Sequence, residues 1–336
     1  MNRNSVRTPL ARPLSLVLAS AAALLAVTVP AAPAADPTAE LRVEGPAGKI
    51  DPGTWYVLPK GKVAAPLAKA AGNCAVRAES KRGSYPQRSA LGLALNGAAL
   101  NPDLRGARVQ PFDFGPLLCR YAGIVGEAFD PATGSFSGWN YYVDFAGGSS
   151  SADLAEIGNG DRVLWAFADE STTGTLRLGE PVAQGDSVTV RVDAFGFDGQ
   201  PTRVDDATIE GAQSQTSLGE GRYSIELENG TSELVATRGE DIDSNLVRAC
   251  SDAGGTDCPD AFGRTIVGTE RADLIATTPG DDVVRAGAGD DTVRAASGGI
   301  DRVNCGAGAK DVVIVERGED DVRSSNCERV RRVRGD

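Results

Sequence analysis

The chain contains no histidine, one methionine and only 5% aromatic residues among its 336. Without histidine, Ser-His-Asp and Cys-His catalytic groupings are excluded, and so is an HExxH metalloprotease site. A basic excess is also missing: 34 Lys and Arg face 46 Asp and Glu, a net charge of −12. Such a balance repels nucleic acid and anionic membrane surfaces and attracts cations. No long apolar run follows Val29, so no membrane span is expected in the rest of the chain. Carboxylate-pair catalysis survives the composition. No pair of acids stands out at a catalytic spacing, however, and a non-enzymatic role is expected.

What is present begins with an export pattern. Arg3, Arg7 and Arg12 form a positive segment without acids, and Leu14 to Val29 is apolar but shorter than the roughly 20 residues that span a bilayer. Ala32-Pro33-Ala34 supplies small residues for cleavage. Residues 1–34 are therefore expected to be a signal peptide, against the alternative of a retained anchor, and the mature chain to be secreted. Removing three of the 34 basic residues leaves 31 against 46 acids, so −12 becomes −15. Six cysteines in an exported chain imply disulfides. Each segment holds a local pair, so Cys74–Cys119, Cys250–Cys258 and Cys305–Cys327 are expected. Zinc is the rival use, but the spacings are unlike CxxC pairs and there is no histidine.

Three segments follow, all mainly β. In residues 40–170, Trp139-Asn140-Tyr141-Tyr142-Val143-Asp144 and Arg162-Val163-Leu164-Trp165-Ala166-Phe167 read as strands, the second entered through the Asn159-Gly160-Asp161 turn. Ser89 to Leu100 has helical apolar spacing and stops at Asn101-Pro102. An α+β domain is expected. The Gly138–Val143 and Gly158–Trp165 segments resemble a bacterial family of unknown function related to the small C-terminal β-domain of transcobalamin and intrinsic factor. That resemblance implies a β-grasp-like fold. The vitamin carriers hold the corrin against a large helical barrel, which this chain lacks, so cobalamin binding does not carry over. Trp55-Tyr56 and Trp139-Tyr141-Tyr142 suggest a sugar-binding platform, but period-two alternation favours core packing for one aromatic per strand.

Residues 175–250 alternate with period two at Leu176–Leu178, Ser187–Val192, Ala207–Ile209, Arg222–Leu227 and Leu234–Thr237, separated by Gly-, Asp- and Asn-containing turns. Gly199-Gln200-Pro201, Ala207-Thr208-Ile209 and Gly221-Arg222-Tyr223 make this stretch similar to the immunoglobulin-like modules of bacterial surface proteins, which implies a β-sandwich serving as spacer or adhesive unit. Residues 251–262 read as a Gly/Asp-rich linker.

From residue 263 to 336 an Asp recurs at Asp273, Asp282, Asp291, Asp301, Asp311 and Asp321, at steps of nine, nine, ten, ten and ten. Apolar residues follow each, and Gly-rich links precede several, as in Gly280-Asp281-Asp282 and Gly287-Ala288-Gly289-Asp290-Asp291. A short period of turn, acid and strand indicates a coil that stacks on itself. The block resembles the RTX, or haemolysin-type, repeat, with unit G-G-x-G-x-D-x-U-x, best at Thr277–Arg285 and Ala286–Arg294. The resemblance implies a short parallel β-roll with Ca²⁺ held by carbonyls and carboxylates of stacked turns, since Ca²⁺ takes about six to eight oxygens. In that family two units make one full turn, which would align Asp273, Asp291 and Asp311 on one edge and Asp282, Asp301 and Asp321 on the other. The candidate metal residues are Asp273, Gly280, Asp281, Asp282, Gly287, Gly289, Asp290, Asp291 and Asp301.

The later units depart from the pattern. Gly298-Gly299 is displaced, Lys310 adjoins Asp311, and Arg285, Arg294 and Arg302 offer acids a partner other than an ion. The back half is thus expected to lean on the Cys305–Cys327 bridge, and Arg329 to Arg334 to form a solvated tail. The expected whole is a secreted, calcium-binding, non-enzymatic surface-interaction or adhesion-type protein with an extracellular protein or polysaccharide partner. The alternative is a small-ligand or cell-wall-polysaccharide binder using the first domain.

Overall fold

The computed structural model describes residues 34–70, 73–126, 137–184, 187–196, 198–251, 258–259, 261–295, 298–316 and 323–333. The expected signal peptide up to residue 33, Asp321, most of the 251–262 linker and the terminal Arg334-Gly335-Asp336 lie outside the described residues.

The strand Thr38–Gly45 forms an antiparallel hairpin with Gly48–Val57 and pairs in parallel with Arg162–Ala168, which in turn pairs antiparallel with Gly138–Val143. The two strands read from the sequence are therefore neighbours, with Trp165 opposite Tyr141. One helix, Ala90–Leu100, packs against this sheet. Its N-terminus is capped by the Ser89 hydroxyl, which accepts the Gly92 N–H at 3.0 Å, and it ends at Asn101 before Pro102. Gly97 faces Leu41, where a Cβ would sit 2.5 Å from Cδ2, so the glycine sets how closely helix and sheet approach. On its other side the helix touches Lys62–Ala70 and Asn73–Pro86, which belong to a second, five-stranded sheet with Arg108–Phe112, Gly115–Tyr121 and Ile124–Val125. The Cys74–Cys119 disulfide ties that sheet together. Of the aromatics that suggest a platform, Trp55, Tyr56, Trp139 and Tyr142 are buried and pack, whereas Tyr141 is half-buried.

In residues 175–251 two antiparallel sheets enclose one apolar cluster that includes Leu176, Val190, Tyr223, Ile225 and Leu234. Sequence periodicity finds five of the nine strands. It misses Val182–Gln184, Pro201–Arg203, Ser214–Gly219 and Val247–Ser251. Pro201–Arg203 and Ser214–Gly219 are exposed on nearly every residue, so they carry no apolar alternation to read. The module abuts the first through Arg42, which donates to the Asp243 carbonyl at 2.7 Å, and through stacked Phe145 and Phe195.

The third region is a coil of short parallel strands in two sheets. One carries Thr265–Val267, Val283–Arg285, Arg302–Asn304 and Arg323–Ser325; the other carries Leu274–Ala276, Thr292–Ala295, Val312–Glu316 and Arg329–Val333. The second residue after each Asp points inward, so Ile275, Val284, Val293, Val303 and Val313 stack in the core. Arg329–Val333 pairs in parallel with Val312–Glu316, so it is a strand and not a free tail, although its side chains stay largely exposed as its charge suggests. Val330 lies opposite Val313 in the register but stays exposed, so this last strand carries no buried phase for the sequence to reveal.

The coil does not start from a free rung. Thr265–Val267 adds in parallel to the edge strand Gly48–Val57, with Trp55 opposite Ile266 and Tyr56 opposite Val267, so one sheet of nine strands runs from the first module into the coil. Strand alternation gives this edge strand two cores. Tyr56 belongs to the first module's cluster, whereas Trp55 and Val57 belong to the coil's. Arg264 lies over the Trp55 ring, 4.0 Å from its centroid. Trp55→Ala should therefore cost about 3–5 kcal/mol, as for buried Trp truncation generally. In hydrogen exchange, amides of Ile266 and Val284 should lose more protection than those of Leu91 and Leu93; equal loss in both regions would refute the template role of this strand.

Candidate metal centre

The stride of nine to ten residues places successive Asp on alternate edges of the coil. Leu274, Thr292 and Val312 are in register in one sheet, and Val283 and Arg302 in the other. Asp273, Asp291 and Asp311 thus form one column and Asp282 and Asp301 the second, as the resemblance to the repeat family implies. All five carboxylates are buried.

Within each column a carboxylate accepts the backbone N–H of the Asp one rung away. Asp273 N–H donates to Asp291 Oδ1 at 2.9 Å, Asp291 N–H to Asp311 Oδ1 at 2.8 Å, and Asp282 N–H to Asp301 Oδ1 at 3.0 Å. Glu328 ends the first column, accepting from Asp311 N–H at 2.8 Å. It stands 17 residues after Asp311, off the stride, which is why the spacing does not reveal it. At the other end Arg264 N–H donates to Asp282.

The columns differ in how the second oxygen is used. In the first two units threonine stands at the second position, where the repeat unit has glycine. Thr269 donates its N–H to Asp273 at 2.6 Å and its hydroxyl at 2.9 Å, and Thr278 donates N–H and hydroxyl to Asp282 in the same way. Asp301 is bonded by the Thr277 hydroxyl. Asp291 and Asp311 follow Gly-Ala-Gly turns that offer no such hydroxyl, and their buried Oδ2 atoms have no hydrogen-bond partner among the described residues. Glycine is required in these turns because rungs touch: a Cβ at Gly287 would lie 2.0 Å from Thr269 O, and one at Gly306 1.9 Å from Gly287 O. Gly287 and Gly289 also hold φ of 109° and 111°. Gly280 abuts the Phe262–Gly263 backbone. Asp281 and Asp290 are exposed, each accepting one N–H from the next rung, Ile300 at 2.7 Å and Ala309 at 3.2 Å.

Burial dominates the proton affinities. Asp291 is pushed up to about 7, first by burial and then by the charges of Asp273, Asp311 and Asp290. Asp301 is pushed up to about 6 by burial, with Asp282 and Asp281 adding to it. Burial also raises Asp273 and Asp282, but the threonine bonds oppose it. Among the described residues no ion pair joins Arg285, Arg294 or Arg302 to these acids. No cluster of three or more metal-ligating side chains converges there either. A cation at Asp291 and Asp311 would thus draw its remaining oxygens from turn carbonyls and water, a donor set that suits a hard ion with loose geometry such as Ca²⁺. The Cys305–Cys327 disulfide joins the fifth and seventh strands' ends beside this column, and the Cys250–Cys258 bridge precedes the coil.

Residues 267–299 match the RTX calcium-binding nonapeptide repeat, in four copies. No curated protein and no solved structure matches the chain. The repeats support Ca²⁺ binding by this segment.

The raised values fix the sign of a pH effect. A carboxylate whose folded value is raised is stabilising when protonated, so its contribution is complete below about 4 and is lost as pH climbs through about 7. In EDTA the coil should melt at a higher temperature at pH 5 than at pH 8. Asp291→Asn keeps the Oδ1 acceptor but removes the charge, and should flatten that dependence in a thermal melt followed by far-UV CD.

Proposed function

We propose that the protein is a secreted, non-enzymatic surface-interaction protein whose C-terminal coil is ordered by Ca²⁺. The observation that carries the reading is the pair of orphaned, buried Oδ2 atoms on Asp291 and Asp311, on adjacent rungs beside glycine turns. Burial makes the Asp291 carboxylate charge at neutral pH only at a cost, and a divalent cation removes that cost. Asp273 and Asp282, already satisfied by threonine, contribute charge to the columns and depend less on an ion. Three disulfides support an oxidising, extracellular setting. The sheet order of the first module, with parallel first and last strands at its centre and a helix across it, supports the β-grasp-like reading. In the second, Tyr223 accepts the Ala207 N–H and donates to Val204 O, a tyrosine corner that supports the immunoglobulin-like reading.

Millimolar Ca²⁺ should raise the melting temperature of the full chain at pH 7.5 by several degrees, since an ion at 100 times its Kd contributes about 2.7 kcal/mol. Asp291→Asn/Asp311→Asn should abolish the gain, while Asp273→Asn should leave most of it. No Ca²⁺ response in the unaltered chain would end the reading.

One feature favours the small-ligand alternative. A cleft of about 460 Å³ in the first module is walled by Phe114, Pro116 and Leu117, floored by Tyr141, and rimmed by Ser149 and Ser150. No charged side chain lines it among the described residues. Phe114 is 78% exposed, which makes it an unusual wall for a merely structural hollow. If the cleft is the working site, neutral oligosaccharides should bind the chain, and Phe114→Ala should weaken them at least tenfold in calorimetry without lowering the melting temperature.

A further inference from the structure

The coil separates its charges. The Asp columns are buried in the turns, whereas Arg285 and Arg302 stand on strand positions that face outward. On the sheet continuous with the first module, Val283 is opposite Arg302 and Arg285 is opposite Asn304. Arg285 and Arg302 are thus diagonal neighbours, roughly 7–8 Å apart along the backbone. Both are exposed, and neither forms an ion pair with a described acid. Between them lies an open hollow of about 330 Å³, floored by the two strands and bordered by Asn304 and Ser325. Asn304 Oδ1 accepts from Gly306 N–H and from the Asn326 amide, which leaves the Asn304 amide hydrogens without a described partner. Two guanidiniums, one amide and one hydroxyl therefore converge on a shallow surface that runs along the coil axis.

We propose that this face binds a linear acidic polysaccharide. Guanidinium groups favour carboxylate and sulfate, which they can bind in bidentate fashion. The open floor, advancing about 4.8 Å per rung, suits an extended chain better than a compact ligand. Charge density decides against nucleic acid. Duplex DNA carries one charge per about 1.7 Å, which two arginines flanked by the exposed acids Asp281 and Asp290 cannot neutralise. A glycan with one carboxylate for every sugar or two meets the arginines and leaves the turns unopposed. The inference rests on the surface-interaction reading above and names its partner.

The test is calorimetric titration of the full chain with a hyaluronan octasaccharide, in millimolar Ca²⁺ and separately in EDTA. A neutral dextran oligosaccharide and a single-stranded DNA 8-mer serve as comparisons. Hyaluronan should bind, dextran should not, and DNA should bind at least tenfold more weakly. Arg285→Gln/Arg302→Gln, two exposed substitutions, should lose at least tenfold in hyaluronan affinity with an unchanged melting temperature. Absence of hyaluronan binding in both conditions, undiminished binding by the double variant, or DNA binding as tight as hyaluronan overturns the proposal. A Ca²⁺-dependent rise in melting temperature without glycan binding overturns the partner alone and leaves the calcium reading standing.

Discussion

The structure depends on one strand having two buried faces. Gly48–Val57 is the edge of the first module's sheet and the zeroth rung of the coil. A parallel rung of three residues cannot stand alone, because its backbone bonds and its single inward side chain do not offset the ordering of the chain. Added to an existing edge, the same three residues find partners for their N–H and C=O groups and a ready surface in Trp55 and Val57. The edge is protected in the same act, since an unpaired strand edge invites another chain. Joining segments so distant in sequence is tolerable because closure entropy grows only slowly with loop length.

Once the first rung is held, the buried carboxylates become the governing term. Asp suits the turn because a short side chain can reach the backbone N–H of the neighbouring rung, and a buried N–H without a partner is costly. That use occupies only one oxygen. Thr269 and Thr278 resolve the other internally, whereas the Gly-Ala-Gly turns leave it to whatever the solvent supplies. Substitution of threonine for glycine at a single position per unit thus divides the repeat into rungs that stand by themselves and rungs suited to an ion. The division cuts across the one that similarity to the repeat unit suggests: of the two best-matching units, one holds Asp282, bonded by Thr278, and the other holds Asp291, while Asp311 lies in a later, departing unit.

Much of this was legible beforehand. The two columns follow from the Asp stride together with the resemblance to the repeat family, which implies two units per turn. The Val163–Phe167 and Trp139–Val143 strands declare themselves by alternation, and Ser89 and Asn101-Pro102 bound the helix chemically. The three disulfides follow from local pairing. The docking of the coil was not legible, because Trp55, Tyr56, Val57 and Leu58 form a continuous apolar run and nothing in a run says that its faces serve different cores. Nor were Lys62–Ala70 and Asn73–Pro86, which hold Lys, Arg, Pro and Gly where alternation would be sought. Glu328 escapes because it takes part in the column off the stride and with a longer side chain.

The coil's arrangement also changes what the net charge means. A value of −12 describes a surface only if the acids are on it. Asp273, Asp282, Asp291, Asp301 and Asp311 are buried, and at least Asp291 and Asp301 hold their protons more tightly than a free carboxylate. Arginine cannot be buried in the same way without a partner, so in a coil whose inward positions are all small and apolar it is driven to the outward strand positions. The result is a coil that is acidic by composition within and at its turns but carries guanidinium groups on its flat faces. A cation entering the turns and an anion meeting the faces therefore do not compete for the same groups. Each neutralises charge that would otherwise oppose the other, so occupancy of one should favour occupancy of the other through the field they share.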